Sequence, residues 1–243
     1  MNNTSLKSKI ALVFCGHGST SKIYKLDFLS FIDKIKLKFP NNKIFYCFIE
    51  KDKPFINDCL SSIYSKFHKI IFIPLLIFKG THYEVDIKEA IYLMEKKNNS
   101  KIIIAKNLNL GKEIASIIQL QVRKKLKNTN QSLLVILSSF SKSSSVYRSI
   151  YYYSRILMKN LKFKNCFIGS FGNERLIIKN LKEQKDKIFL HPIFLFNGYL
   201  YDSILKKFSN EFKRRLFFIE PLLQNEKFFY YVYNKINLIL ERE

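Results

Sequence analysis

The feature that most constrains this fold is a regular alternation between continuous apolar runs and segments with helical periodicity. In the first half the apolar runs predict strands at about 9–15, 43–49, 69–78 and 101–106. Helical patterns fill the gaps between them, at about 20–38, 54–67, 83–97 and 111–127. Strands that are apolar throughout, and not at every second residue, are covered on both faces, as in parallel sheets. The pattern therefore predicts an α/β fold.

The second half of the chain repeats this pattern after a polar bridge at 124–131. The clearest repeat is Ile188–Tyr199, which matches Ile70–Thr81 with a proline and a glycine in the same places. Such self-similarity indicates a duplicated structural unit. We predict two similar lobes, each a four-stranded, mostly parallel, doubly wound sheet with helices on both faces. The predicted lobes are residues 1–127 and residues 128–243.

Two histidines and one glutamate follow the first three predicted strands. His17 follows strand one, Glu50 follows strand two and His82 follows strand three. Since parallel strands end at one edge of a sheet, and ligands bind at that edge, we expect the three side chains to converge. Two imidazoles and a carboxylate suit a divalent metal such as Fe, Co, Ni or Zn. An acid/base role for the histidines, and a helix-capping role for Glu50, remain alternatives.

The second half does not repeat these side chains. Gly16-His17-Gly18-Ser19 corresponds to Ser139-Phe140-Ser141-Lys142, and Gly80-Thr81-His82 corresponds to Gly198-Tyr199-Leu200. A histidine needed for packing would have a counterpart in the copy. We therefore expect the chemistry to reside in the N-terminal lobe and His191, inside a buried strand, to be a core residue.

Anion-binding groups are expected beside the histidines. Gly18 and Ser19 are predicted to open the first helix, where free backbone N–H groups attract anions. Four lysines near the same edge are candidates to pair with substrate carboxylates, although a solvated charge is the simpler interpretation of any one of them: Lys22, Lys51, Lys53 and Lys79.

Charge and cysteine usage limit the classes of protein. The chain has 42 basic and 19 acidic residues, a net charge of +23, spread evenly. Abundant Lys, Asn, Ile, Phe and Tyr point to a base-composition bias as the main cause, with attraction of an anionic substrate as a further effect. Without a recognition-helix motif or a basic stripe, we expect no nucleic-acid partner. Four cysteines without CxxC spacing favour a reduced, cytoplasmic setting.

The apolar segments are too short for a membrane protein. The longest uninterrupted apolar run, Ile70–Phe78, is far below the roughly 20 residues that span a bilayer. Near the N-terminus, Phe14 precedes Cys15 where a lipoprotein signal needs a small residue. We expect a soluble protein.

Three segments together resemble the class II sirohydrochlorin chelatases of the CbiX and SirB type. They are Gly16–Ser19, Phe48–Glu50 and Ile73–Ile87. The resemblance covers the whole chain as the long, two-lobe form of the family. It departs from the family pattern at Gly80-Thr81-His82, where small residues or a second histidine often precede the histidine, and at Ser139-Phe140-Ser141, where a glycine-rich turn is usual.

The resemblance implies a lyase-type metal chelatase that inserts a divalent metal into sirohydrochlorin, in cobalamin or sirohaem synthesis. It implies that His17 and His82 bind the metal and that Glu50 assists. We expect Gly18, Ser19, Lys79 and Gly80, which lie at the same edge, to contact the substrate. Co²⁺ is the expected metal, with Fe²⁺ (a sirohydrochlorin ferrochelatase) or Ni²⁺ as alternatives, and a non-catalytic metal- or anion-binding relative as another. We expect no cofactor beyond the metal substrate, no membrane partner, and a monomer, because two lobes in one chain supply what single-lobe relatives obtain by pairing.

Overall fold

The computed structural model describes residues 10–78, 82–97, 101–126 and 128–243, and for residues 82–84 and 97 only the backbone. Eight strands form where the apolar runs predicted them. Their bounds are β1 Ile10–Gly16, β2 Lys43–Phe48, β3 Lys69–Pro74, β4 Lys101–Ile104, β5 Ser132–Ser138, β6 Asn165–Ser170, β7 Lys187–Pro192 and β8 Leu216–Phe218.

The α-helices follow the strands in strict alternation. Their bounds are α1 Lys22–Lys38, α2 Ile56–Ile63, α3 Lys88–Lys97, α4 Lys112–Lys125, α5 Ser144–Leu161, α6 Glu174–Lys182, α7 Tyr199–Phe212 and α8 Glu226–Leu240. A π-helical turn, His82–Ile87, leads directly into α3.

Helix α1 shows how sequence sets these bounds. Its buried residues, Phe28, Phe31, Ile32 and Ile35, recur at three- and four-residue spacing and so form one face. The helix ends where the Phe39 N–H donates to the Ile35 carbonyl and Pro40 follows, because the residue before a proline disfavours helical dihedrals.

Both sheets are four-stranded and wholly parallel. The strand orders are β2-β1-β3-β4 and β6-β5-β7-β8, so the chain winds outward in both directions from the central pair of strands. This is the doubly wound arrangement. The predicted fold class is confirmed.

Each sheet is covered on both faces, which explains the continuous apolar runs. In the first sheet, Val13 packs in a core cluster with α2 and α3 residues such as Leu60 and Ile91. The next residue, Phe14, meets Phe31 of α1 with ring centroids 5.9 Å apart. Neighbouring residues of one strand therefore bury against helices on opposite faces.

Backbone hydrogen bonds beyond the strand ends are equivalent in the two sheets. In the first sheet the Ile49 N–H donates to the Gly16 carbonyl (3.0 Å). In the second sheet the Phe171 N–H donates to the Ser138 carbonyl (2.8 Å). This register aligns Gly16 with Ser138, so His17 corresponds to Ser139. The sequence alignment, which paired His17 with Phe140, was wrong by one residue. The internal repeat itself stays a prediction.

The chain divides into two compact units, Met1–Leu108 with Lys235–Glu243, and Asn109–Asn234. Each unit contains one sheet, as the two predicted lobes do. The bounds differ from 1–127 and 128–243, because helix α4 groups with the second sheet and the end of the chain groups with the first. The predicted boundaries stay a prediction.

All four cysteines are free thiols, and three of them are buried. Within the described residues, no helix is both long enough and apolar enough to cross a membrane.

Candidate metal centre

The candidate site lies at the carboxyl edge of the first sheet, where the winding direction changes. Central strands β1 and β3 are neighbours, while their connections run to opposite sides. His17 directly follows β1, and the π-helical turn that begins at His82 follows β3. Open α/β sheets bind ligands at such a switch point.

His17 and Glu50 meet at this edge, as predicted. The His17 Nδ1 lies 3.7 Å from the Glu50 Oε1, and the two side chains are 42% and 41% exposed. The Lys51 Nζ lies 3.9 Å from the same carboxylate oxygen. An imidazole and a carboxylate are thus held close together while both stay open to solvent.

The pairing of β1 with β2 continues past the strand ends and brings these side chains together. The Ile49 N–H donates to the Gly16 carbonyl and the Glu50 N–H to the His17 carbonyl, both at 3.0 Å. Each strand is therefore extended at its carboxyl end by paired backbone, which fixes His17 and Glu50 relative to one another.

Gly18 allows the two loops to approach this closely. Its φ is +90°, a conformation that residues with a Cβ rarely adopt. A Cβ at this position would lie 1.7 Å from the Glu50 carbonyl oxygen. Only glycine permits this contact between the His17 and Glu50 loops.

The imidazole of His17 is oriented by the backbone. Its Nδ1 lies 3.2 Å from the Gly18 carbonyl oxygen. Because a carbonyl only accepts, this contact requires the hydrogen on Nδ1, which leaves the lone pair on Nε2. That tautomer is the one that ligates a metal through Nε2.

Asp52 is a further residue of the site that the sequence analysis missed. Its side chain, 11% exposed, accepts from the Ser19 N–H (3.2 Å) and from the Lys25 Nζ (3.1 Å). It therefore joins the His17 loop, the Glu50 loop and helix α1. The signal available in sequence was an acid two residues after Glu50, in the stretch Lys51-Asp52-Lys53.

The start of the first helix differs from the prediction. Helix α1 begins at Lys22 with Ser21 as its N-cap, not at Gly18 and Ser19. The Gly18 N–H donates to the Tyr24 hydroxyl (3.3 Å), and burial raises the pKa of that phenol. Both predicted anion-binding amides thus have internal partners. Their contact with substrate stays a prediction.

The structure does not describe the side chains of the remaining predicted site residues. Lys79 and Gly80 lie outside the described residues, and His82 is described only as the first residue of the π-helical turn. Among the described residues, no group of three or more His, Cys, Asp or Glu side chains is arranged to hold a metal ion. The predicted set of His17, Glu50 and His82 stays a prediction.

The other two histidines are outside this site. His68 is exposed in the loop before β3, at the opposite, amino edge of the sheet. His191 is fully buried in β7, with its Nε2 2.9 Å from the Tyr153 hydroxyl. Burial lowers the pKa of His191 to about 3, so the ring is neutral. The prediction of a core histidine is confirmed.

The fold is doubly wound α/β with a His–Glu pair at the switch point of its first sheet, and comparisons with known proteins show which proteins it resembles. The model of the CbiX family matches residues 11–125. The sirohydrochlorin cobaltochelatase of Sulfurisphaera tokodaii is 28% identical over 117 residues, which are 48% of this chain and 93% of that protein.

Solved structures of SirB share the fold over nearly the whole chain. SirB from Bacillus subtilis with Fe³⁺ superposes with a TM-score of 0.79 at 18% identity, covering 94% of both chains. SirB from Bacillus subtilis subspecies spizizenii in complex with cobalt gives 0.76 at 19% identity, with the same coverage. At such identities the likeness establishes the fold. Together with the CbiX match to residues 11–125, it confirms the predicted resemblance to class II chelatases of the CbiX and SirB type.

Proposed function

We propose that this protein is a sirohydrochlorin chelatase, an enzyme that inserts a divalent metal into sirohydrochlorin. The observation that carries the proposal is the His17–Glu50 pair at the switch point, inside the segment that matches the CbiX family. The cobaltochelatase relative and the SirB structures with Fe³⁺ and cobalt support the activity.

The chemistry needs a group that replaces water around the metal and a group that accepts protons. Nε2 of His17 has the lone pair for the first task, because Nδ1 faces a carbonyl. We assign the second metal-binding imidazole to His82. Insertion of M²⁺ releases two N–H protons from the macrocycle, and the Glu50 carboxylate, 3.7 Å from His17, is placed to accept one of them.

The metal is proposed to be Co²⁺, with Fe²⁺ for sirohaem synthesis as the second candidate and Ni²⁺ as the third. An imidazole and carboxylate set accepts all three, since affinities follow ligand type and selectivity in cells follows supply and geometry. Comparison of insertion rates with the three metals tests this choice directly.

The substrate site is proposed to extend over Gly18, Ser19, Lys79 and Gly80, with the basic surface attracting the carboxylates of sirohydrochlorin. We further propose that the two units arose by duplication and became unequal. In the register set by the hydrogen bonds, Ser139 occupies the position equivalent to His17, and Gly172 occupies the position equivalent to Glu50. Neither provides the imidazole or carboxylate of the first unit.

The setting of the enzyme is part of the proposal. We propose a cytoplasmic monomer that requires no cofactor beyond its metal substrate and has neither nucleic acid nor membrane as a partner. Light scattering on the active enzyme tests the monomer, and an obligate dimer that loses activity on dilution would overturn it.

The test of the activity is an absorbance assay with sirohydrochlorin and Co²⁺, Fe²⁺ or Ni²⁺. His17→Ala and His82→Ala are each expected to abolish insertion, and Glu50→Gln to slow it by about 100-fold or more, the range typical of a lost proton acceptor. His68→Ala is the matched control, because this histidine is exposed at the opposite edge. Circular dichroism should be unchanged in all four variants.

Two results would overturn the proposal. The first is an unaltered sirohydrochlorin spectrum with every metal, which would favour a metal- or anion-binding relative without catalysis. The second is loss of the folded spectrum in His17→Ala, which would make this histidine structural.

A further inference from the structure

The peptide group that follows His17 is held on both of its sides. Its carbonyl oxygen accepts a hydrogen bond from the Glu50 N–H at 3.0 Å. Its N–H, which belongs to Gly18, donates to the hydroxyl of Tyr24 at 3.3 Å. Since Tyr24 lies in the first turn of α1, the peptide is bonded to the loop after β2 on one side and to a helix on the other.

The glycine before His17 makes room for this tyrosine. A Cβ on Gly16 would lie 3.0 Å from the Tyr24 hydroxyl oxygen and 2.7 Å from the Cε2 of Phe28. The rings of Tyr24 and Phe28 are stacked, with centroids 6.4 Å apart and an angle of 15° between their planes. The stacked pair thus lies against the backbone at Gly16, and from there the hydroxyl reaches the Gly18 N–H.

The hydrogen bond to Tyr24 bears on the imidazole through the carbonyl of Gly18. The His17 Nδ1 lies 3.2 Å from that carbonyl oxygen, the contact that leaves the lone pair on Nε2. The phenol accepts from the N–H of the same glycine, whose φ is +90°. Loss of the phenol would therefore let Gly18 rotate and carry its carbonyl away from Nδ1.

The connections from β1 to α1 and from β5 to α5 have the same local structure. The Ser21 N–H donates to the Ser19 Oγ, and the Ser143 N–H donates to the Ser141 Oγ, both at 3.1 Å. Ser21 and Ser143 are the N-caps of their helices. The third residues of α1 and α5 are therefore at equivalent positions.

At this position the first unit has Tyr24, while the second has a buried valine. Val146, 4% exposed, is the third residue of α5. Its side chain has no hydrogen-bond acceptor, and Ser139 stands there at the position equivalent to His17. Helix α5 thus forms and packs without the hydroxyl, which occurs in the unit that carries His17.

We propose that Tyr24 is a positioning residue for metal binding by His17, an inference that rests on the proposed function. Its hydroxyl fixes the peptide between His17 and Gly18, and this peptide holds the imidazole in the tautomer that ligates a metal through Nε2. Phenylalanine would keep the stacked ring but leave the Gly18 N–H without its acceptor. Tyr24→Phe therefore separates the positioning role from packing.

The first measurement is the Co²⁺ affinity of the full chain, by equilibrium titration. Tyr24→Phe should raise Kd about 3- to 10-fold, as expected for loss of one hydrogen bond. Tyr46→Phe is the matched control and should bind Co²⁺ like the wild type, because Tyr46 packs on the same Phe28 ring, at 5.9 Å, from strand β2. In the metal-free protein, ¹⁵N NMR should show His17 with its hydrogen on Nδ1 in the wild type and a smaller fraction of this tautomer in Tyr24→Phe.

A double-mutant cycle tests whether Tyr24 acts through His17. Tyr24→Phe should raise the Co²⁺ Kd in the wild-type background and leave it unchanged in the His17→Ala background. A rise of the same size in both backgrounds would overturn the proposal. So would an unaltered Kd combined with a lower free energy of unfolding, which would make the hydroxyl structural.

Insertion assays at saturating Co²⁺ separate this proposal from the proposed function. In Tyr24→Phe, kcat should fall by about 10-fold while KM for sirohydrochlorin stays unchanged, because the imidazole that holds the metal is displaced. Insertion by the wild type with an unaltered kcat and Co²⁺ Kd in Tyr24→Phe would overturn the role of Tyr24 and leave the chelatase standing. Co²⁺ binding that Tyr24→Phe weakens, without insertion by the wild type, would overturn the chelatase only.

Discussion

Replacing Gly18 with alanine should separate the two loops that hold the candidate metal centre. At a φ of +90°, an L side chain costs about 1–2 kcal/mol. The new Cβ would lie 1.7 Å from the Glu50 carbonyl oxygen, so that oxygen must retreat by about half of an ordinary contact distance. Such overpacking costs about 1–3 kcal/mol, which gives a total loss of about 2–5 kcal/mol.

Substitutions at two other glycines allow the conformational cost and the steric cost of a new Cβ to be measured separately. Gly172 has a similar φ, +99°, but a Cβ there meets nothing within 4 Å, so Gly172→Ala shows the conformational cost alone. Gly111, the N-cap of α4, has an extended backbone and its nearest atom is at 3.9 Å, so Gly111→Ala should cost only about 0.5–1 kcal/mol, because alanine is a poorer N-cap than glycine.

The measurements are urea unfolding, Co²⁺ binding and metal insertion. Gly18→Ala should remain folded in the absence of urea and lose insertion by about 100-fold, because a displacement of about 1 Å at a reacting group has that effect. The reasoning is refuted if Gly18→Ala costs no more than Gly172→Ala and inserts metal at the wild-type rate.

Three further predictions concern charged and buried groups. The pKa of His191 is about 3 in the folded protein and about 6.5 when unfolded, so the stability from its neutral form is complete above pH 6.5 and is lost as pH falls toward 3. Between pH 6.5 and 3 the free energy of unfolding, measured in urea, should fall by about 1.4 kcal/mol per pH unit more steeply in the wild type than in His191→Gln. Parallel plots of this free energy against pH for the two proteins would contradict the prediction. Lys207→Met should cost about 2–3 kcal/mol in urea unfolding, because it leaves the Glu174 carboxylate buried without its cation. Asp52→Asn should cost about 1 kcal/mol and slow insertion, since charge-assisted bonds to the His17 loop and to α1 become weaker.

Exposed ion pairs of the same composition provide the controls. Lys182→Met removes the partner of Glu211, and Asp33→Asn removes that of Lys36, and in both pairs the two side chains are well exposed. Each should cost less than about 1 kcal/mol. If the substitutions in the buried and exposed ion pairs lower the free energy of unfolding equally, burial of Glu174 or Asp52 does not strengthen the contribution of its ion pair to stability.

The sheets were predictable because their strands are buried on both faces. A run such as Ile70–Ile73 has no polar residue to interrupt it, and only a two-sided core accommodates that pattern in so few residues. The positions of His17 and Glu50 followed from the strands, because parallel strands end at one edge. This part of the site required only the order of the elements.

The loop contacts were not predictable, because they join residues distant in sequence. The Ser19 N–H donates to Asp52, 33 residues further along, and the approach of Gly18 to Glu50 depends on the positive φ of one glycine. These contacts also explain the helix start. Since the Gly18 and Ser19 amides are engaged elsewhere, the first turn of α1 begins three residues later, at Lys22.

A carboxylate clamp recurs at equivalent positions in the two units, while the residues beside it differ. The strand register that aligns Cys47 with Gly169 also aligns Asp52 with Glu174. Asp52 is held by Lys25 of α1 and Glu174 by Lys207 of α7, so the same loop is tied down from different helices. Both turns are thus fixed by a charged clamp. At the position two residues before it, the first unit presents Glu50 next to His17, while the second has Gly172, whose φ of +99° disfavours a side chain, next to an aromatic ring. The clamp is common to the two edges, and the residues beside it set the chemistry of each edge.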